Sequence, residues 1–432
     1  MFVSDNLDVN AEGHLTIGGI DTVHLAAKYG TPLYVMDEDQ IRKNCQAFKD
    51  SMKTYYDGQG MVCYASKAFC CKEMYRIMQS EGMGIDVVSG GELYTAKEAG
   101  FDMANVCFHG NNKTTEELRL AIDYHVGRIV VDNLYEMERL ENLAAQRGMK
   151  MSILLRVTPG VDAHTHKFIR TGQIDSKFGF TLENGDAERA VEKALVCSHL
   201  DLRGFHCHIG SQIFDTQGFE AAAEIMLGFI SDLHKDLQFT TRDLNLGGGF
   251  GIRYTEEDHP PSYDVYMCAV SQVVHRLCES YRISRPFMMI EPGRSIAAPA
   301  GVTLYTVGGI KTIPDVRTYV SIDGSMCDNP RYILYQSKYD ALIANRAAEP
   351  KTEMVTIAGK CCESGDLIGE NMPLQPVKSG DILAVCATGA YNYSMSSNYN
   401  RMQKPAVVFV HDGQDRLAVR RETLDDLIRN DI

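Results

Sequence analysis

No C-x-x-C pair occurs among the 13 cysteines of this 432-residue chain, and their odd number follows no regular spacing. Neither a zinc ribbon nor a complete disulfide framework is indicated, and a reducing compartment is expected. No apolar run reaches the roughly 18 residues of a membrane span. The N-terminal MFVSDNLDVN carries an early acid where a secretory leader would carry bases, so a cytoplasmic protein is expected. Positive charge is not in excess: 43 Lys and Arg face 57 Asp and Glu, a net charge of −14. That argues against nucleic acid or an anionic membrane as the main partner, while a local basic pocket for a small anion stays open. Internal repeats and low-complexity tracts are absent as well. What is present is ordinary for a folded chain, with 44% hydrophobic and 23% charged residues. At about 150 residues per domain the length allows two or three domains.

Residues 1–35 hold short strand-like pieces, HLTIGG and TPLYVMD, around a helical VHLAAKYG. From there to about residue 300, apolar runs alternate with amphipathic stretches: GMVCYAS, GIDVVS, NVCFHG, RIVVD, MSILLRV, LRGFHCHIG, RDLNLGG and FMMIEPG. Such alternation signals βαβ units and a parallel sheet. Eight runs, with Lys67, Asp86, His109, Arg156, His208, Gly247 and Glu291 at their C-terminal ends, predict a (β/α)8 barrel over 36–300. An open doubly wound sheet is the alternative. Beyond residue 300 the helical period fades, and VTLYTVGGIKTI, RTYVSIDG, EMVTIAGK and PAVVFVHDG predict a β-domain over 301–432.

Lys67 ends a strand in VCYASKA, where burial or neighbouring cations could turn a surface lysine, pKa about 10.4, into an imine-forming nucleophile. LNLGGGFGI closes a strand with glycines whose N–H groups can cradle a phosphate, or can simply form a tight turn. It is neither a P-loop nor a full dinucleotide fingerprint. IEPGRSIAAPAG places Glu291 and Arg294 after another strand, with Gly293 allowing close backbone approach. His206 and His208 alternate on one strand and so face opposite sides, which disfavours joint metal ligation. His164 and His166 fit a solvated loop pair better than a metal site, and no metal is expected. CCESGDLIG and CATGAYNYSM set Cys362, Glu363, Asp366 and Tyr391 on turns after strands.

Taken in order, YASKA, DVVSGGEL, FHGNNKT, RVTPGVDAHTH, DSKFG, HIGSQI, LGGGFGI, EPGRSI, CCESGD and TGAYNYSM resemble the alanine-racemase-fold (fold-type III) pyridoxal-phosphate decarboxylases over nearly the whole chain. The resemblance implies an α/β fold, a TIM-like (β/α)8 barrel followed by a C-terminal β-domain that the N-terminal segment joins. It also implies pyridoxal 5'-phosphate as cofactor and a homodimer with shared active sites. Lys67 corresponds to the lysine that holds the cofactor until the substrate amine displaces it, and His208 to the histidine stacked on its ring. Ser211, Gly248, Gly249, Gly293, Arg294 and Tyr391 match cofactor-binding positions. Glu291 matches the carboxylate that favours a protonated pyridine nitrogen, and Cys362 the proton donor from the neighbouring subunit.

The family reads a distal carboxylate with the positions of Arg294, Arg331 and Tyr335, beside Tyr391, and a distal ammonium with that of Glu363. The implied reaction is decarboxylation of meso-2,6-diaminopimelate at its D-centre to L-lysine and carbon dioxide, the last step of lysine biosynthesis. Decarboxylation of ornithine, arginine or carboxynorspermidine is the alternative within the fold, and a catalytically inactive regulatory relative the alternative outside it. A racemase is disfavoured, because family racemases place an arginine where Glu291 stands. Two departures mark the chain: DGSM stands where DGGM is usual, and Tyr332 stands in place of a proline after Arg331. Both leave the seating of the Arg331 loop open.

Overall fold

The computed structural model describes residues 2–161 and 176–432. His164 and His166 lie outside the described residues. The chain divides into two compact units, one of Asn44–Gly251 with Pro260–Gly293, the other of Met1–Lys43, Ile252–His259 and Arg294–Ile432.

The first unit is a closed parallel barrel. Its strands are β1 (Gly60–Ala65), β2 (Gly84–Val87), β3 (Val106–Phe108), β4 (Arg128–Val131), β5 (Met151–Thr158), β6 (Leu200–His206), β7 (Asp243–Asn245) and β8 (Phe287–Ile290). They pair in the order β5-β6-β7-β8-β1-β2-β3-β4, and β4 pairs with β5 to close the ring. These are the eight apolar runs of the sequence, and closure rules out the open-sheet alternative. The runs are apolar throughout because helices cover their outer face while the barrel interior fills the other. Small and flexible side chains fit that narrow interior: Cys63, Cys107, Val130, Leu154 and Met289 form one buried cluster. All 13 cysteines are free thiols.

After β2, β3 and β4 a short turn leads from strand to helix and ends in a capping residue. Ser89 caps Gly90–Ala99, Thr114 forms a capping box with Glu117, and Asn133 caps Leu134–Arg147. Each cap satisfies a helix N–H that would otherwise lack a partner, so the chain turns just past the strand and holds the strand-end residues in place. The N-terminal end of the barrel is occupied by matched charge. Asp243, fully buried, accepts from Arg128 Nε at 2.8 Å and Arg203 Nε at 2.7 Å.

The second unit is mostly strand. β9 (Gly301–Ile313), β10 (Arg317–Ile322), β11 (Glu353–Ala358) and β12 (Leu367–Leu374) lie in the order β12-β11-β10-β9. Leu33–Asp37 follows, antiparallel to β9 and parallel to Ala406–His411. The N-terminal segment thus supplies an interior, fully buried strand to the C-terminal sheet. Ile252–His259, from the middle of the stretch read as barrel, also clusters with this unit.

Candidate active site

Two clusters of polar side chains are built, one in each unit. In the barrel, the strand ends converge on Glu291, just past β8 and 6% exposed. One carboxylate oxygen accepts from Asn245 Nδ2 at 2.7 Å and lies 2.8 Å from His109 Nε2; the other lies 3.2 Å from His206 Nε2. Burial alone would raise Glu291, but the two imidazoles and their hydrogen bonds hold it well below the ordinary carboxylate range. Burial pushes His206 down to about 3, so at neutral pH it is an uncharged ring donating Nε2–H to an ionised carboxylate. The His109 and His206 rings meet edge-on at 4.7 Å.

Charged side chains of both signs lie near this carboxylate. Asp86 in β2 is buried, and burial pushes it up against the pull of His109 and Lys67. Arg156 in β5 stacks its guanidinium 4.0 Å from the Phe178 ring centroid and reaches Asp132 at 4.0 Å. Lys67 is exposed, in the single turn Ser66–Ala68 after β1. Its charge is felt by Asp86, Glu92 and His208. Glu92, pushed up to about 7 chiefly by burial, accepts from the Val88 N–H at 2.7 Å.

His208 is half-buried past the end of β6, and burial, then the charges of Lys67 and Arg156, push it well below its usual value. Its Nδ1 accepts the Gly248 N–H at 3.3 Å, which fixes the neutral ring with its proton on Nε2. The glycines serve close packing here. A Cβ on Gly248 would stand 2.1 Å from the Glu291 carbonyl, and one on Gly249, at φ +115°, 2.6 Å from that of Gly210. Gly293 packs against the Lys67 segment, where a Cβ would meet Ala65 at 2.9 Å and Ala68 at 3.1 Å. Ser211 is half-buried in the loop that Ile213 ties to the glycine turn through Gly249 O.

The second cluster is cationic and aromatic. Arg294 and Arg331 are 6% and 7% exposed, and the Tyr391 ring lies 4.8 Å from the first guanidinium and 5.3 Å from the second. Tyr335, half-buried, brings its ring 5.2 Å from Arg331. Among the described residues of this unit no carboxylate pairs with Arg331; its Nη2 donates to Ser337 Oγ at 3.3 Å and its surroundings are tyrosines. Tyr391 holds a left-handed φ of 62°, uncommon for a bulky residue and typical of functional sites.

Both departures from the family pattern are absorbed locally. Ser325 Oγ accepts the Cys327 N–H at 3.1 Å inside its own turn. Tyr332 donates its hydroxyl to Glu370 Oε2 on β12 at 2.6 Å, and Arg317 of β10 holds the other oxygen at 2.6 Å. Cys362 and Glu363 are exposed on an adjoining loop. Asp366, singled out as a polar turn residue, is instead a buried staple: it accepts from the Cys361 N–H at 2.8 Å and the Met326 N–H at 2.6 Å.

The expected residues therefore fall into separate groups: Lys67, His208, Ser211, Gly248, Gly249, Glu291 and Gly293 in the barrel, Arg294, Arg331, Tyr335, Cys362, Glu363 and Tyr391 in the β-rich unit. Asn245, His206, Glu92, Tyr254 and Tyr339 were not foreseen as site residues. A buried Asn in the apolar LNLGGG and a second histidine in an apolar strand were the available signals for the first two. Nothing local marked the others.

The barrel donor set suits pyridoxal phosphate: a primary amine for its aldehyde, a neutral imidazole for its ring face and a buried ionised carboxylate for its ring nitrogen. Comparison with known proteins agrees. Residues 38–298 match the family described as pyridoxal-dependent decarboxylase, pyridoxal binding domain. Diaminopimelate decarboxylase of Bacillus subtilis (strain 168) is 51% identical over 100% of this chain and 98% of its own, and that of Bacillus methanolicus 49% identical over 98% of both. The solved diaminopimelate decarboxylase from M. jannaschii in co-complex with L-lysine is 35% identical, with a TM-score of 0.93 over 100% of this chain and 99% of that one. The chain belongs to the pyridoxal-dependent decarboxylases, in the diaminopimelate decarboxylase branch of that family.

Proposed function

We propose that the protein decarboxylates meso-2,6-diaminopimelate at its D-centre, yielding L-lysine and carbon dioxide. The observation that carries the substrate choice is Arg331, a buried guanidinium to which its own unit offers tyrosines and, among the described residues, no carboxylate. A buried cation without a counter-ion is costly unless an anion arrives, and bidentate Arg suits a carboxylate. Ornithine, arginine and carboxynorspermidine bring no distal carboxylate. The relatives named diaminopimelate decarboxylase support the same choice, as does the M. jannaschii structure in co-complex with L-lysine.

Pyridoxal phosphate, when bound, supplies an electron sink for the pair released as carbon dioxide departs. Lys67 would hold it through its side-chain amine. His208, kept neutral, packs on the ring face, while Ser211, Gly248, Gly249 and Tyr391 serve the phosphate. Glu291, kept ionised by its three partners, holds a proton on the ring nitrogen. Cys362 then delivers its thiol proton to the carbon that lost carbon dioxide. Arg294, Arg331 and Tyr335 bind the distal carboxylate, and Glu363 the distal ammonium. Cys362 and Glu363 are exposed on the single chain, which suits residues that act in the site of a second subunit of a homodimer.

The test is incubation with meso-diaminopimelate, L-ornithine, L-arginine and carboxynorspermidine, recording carbon dioxide release and product identity. The expected result is L-lysine from diaminopimelate at by far the highest kcat/KM. Preference for any of the other three overturns the substrate assignment.

A further inference from the structure

Tyr254 stands in Ile252–His259, the short segment that clusters with the β-rich unit, and is 7% exposed. Its hydroxyl accepts Nη1 of Arg294 at 2.6 Å, a length characteristic of a charge-assisted bond. Its ring meets that of Tyr339 edge-on, with centroids 5.2 Å apart at 83°. Tyr339 Oη in turn accepts from Asn392 Nδ2 at 3.4 Å, and the same nitrogen donates to Thr388 O at 3.1 Å. Asn392 is fully buried and directly follows Tyr391, whose ring faces both guanidiniums. Tyr254, Tyr339 and Asn392 thus form a chain of neutral groups that runs from Thr388 to Nη1 of Arg294.

The neutrality matters. A carboxylate at position 254 would fix Arg294 as firmly but would cancel its charge, leaving little attraction for an incoming anion. A phenol holds the guanidinium without adding a neutralising charge of its own. We propose that Tyr254 is a positioning residue for substrate specificity, setting the orientation of Arg294 for the distal carboxylate without touching the substrate. This rests on the reading of Arg294 as a ligand of that carboxylate.

The test exploits the two compounds that differ only at the recognised group. L-Lysine, the product, keeps the distal carboxylate; cadaverine lacks it. Tyr254→Phe, which retains the ring packing, is expected to raise KM for meso-diaminopimelate and Ki for L-lysine together by about tenfold, the loss typical of one charge-assisted hydrogen bond. Ki for cadaverine, kcat and the absorbance of the bound cofactor should stay within about twofold, a split that general loosening of the fold would not produce. In an Arg294→Lys background, Tyr254→Phe should add nothing, because it acts through the guanidinium. Unchanged Ki for L-lysine, equal weakening of L-lysine and cadaverine, or losses that multiply with Arg294→Lys would each overturn the proposal. If Arg294→Lys itself leaves L-lysine binding unchanged, the reading of Arg294 fails and the role of Tyr254 with it. If Arg294→Lys weakens L-lysine while Tyr254→Phe does not, only the role of Tyr254 fails.

Discussion

The two clusters handle buried charge in opposite ways. At the barrel strand ends an anion, Glu291, is surrounded by donors: Asn245, His109 and His206 all reach it within 3.2 Å. In the β-rich unit a cation, Arg331, has aromatic faces and a serine hydroxyl around it, with no acid of its unit in reach among the described residues. A satisfied buried charge holds its protonation state and geometry, which is what a group acting on a reaction centre requires. An unneutralised one is poised for a ligand that brings the missing charge. We propose that the barrel cluster carries the chemistry and the arginine cluster the choice of substrate.

The most severe way to break that division is to separate its parts across subunits. If the protein acts as the proposed homodimer, Lys67→Ala and Cys362→Ala should each be inactive, one lacking the proposed cofactor anchor and the other the proposed proton donor. After verified subunit exchange, a mixture should regain about a quarter of wild-type sites, because each statistical heterodimer has one intact shared site. A mixture as inactive as its parents would show that Cys362 does not serve the partner's site. Next in size is Glu291→Gln, which keeps shape and loses charge. It should still bind the cofactor but lower kcat by about 100-fold or more, each tenfold being about 1.4 kcal/mol of barrier, with KM for diaminopimelate little changed. Near-normal kcat in this variant would remove Glu291 from the chemistry.

How far the sequence foretold these clusters follows from how local each feature is. Strand ends are legible because a strand's apolar run and the turn that follows it lie close together in sequence, so Lys67, Asp86, His109, Arg156 and Glu291 could be placed on one barrel face from spacing. The ordered motifs marked Arg294, Arg331 and Tyr391 as one group, and the β-rich unit brings them together. Asn245 and His206 sit in those same segments, yet their role depends on pairing with Glu291, respectively 46 and 85 residues away in sequence. Tyr254 and Tyr339 were invisible for a related reason. A tyrosine in a polar stretch has no period to betray it, and the contact between them joins segments brought together only by the fold. The N-terminal segment shows the limit from the other side: TPLYVMD was readable as a strand, but its place between β9 and Ala406–His411 was not.

The arginine cluster offers the complementary test. Arg331→Ala should cut kcat/KM for meso-diaminopimelate by about 30- to 1,000-fold, the cost of leaving a buried carboxylate without its partner, roughly 2–4 kcal/mol. The loss should appear mainly in KM, and cadaverine should bind as before. A matching fall in kcat would move Arg331 from recognition into the chemistry and dissolve the division between the clusters.

Tyr332, the residue where the family pattern is broken, should give the smallest effect. It occupies the short helix Arg331–Tyr335, with its hydroxyl on Glu370 and Glu370 on Arg317, so β10 and β12 together brace the helix that carries Arg331. Both Glu370 and Arg317 are about a third exposed, at 34% and 30%, so solvent screens the brace and weakens it. Tyr332→Phe removes one partly exposed hydrogen bond, worth about 0.5–1 kcal/mol, and KM for diaminopimelate should rise only about two- to fivefold with kcat unchanged. Glu370→Gln should give a similar rise, because it weakens the same brace from its other end. A rise as large as that of Arg331→Ala would mean that Arg331 depends on this outer brace for its position, and that the tyrosines around its guanidinium do not suffice to hold it.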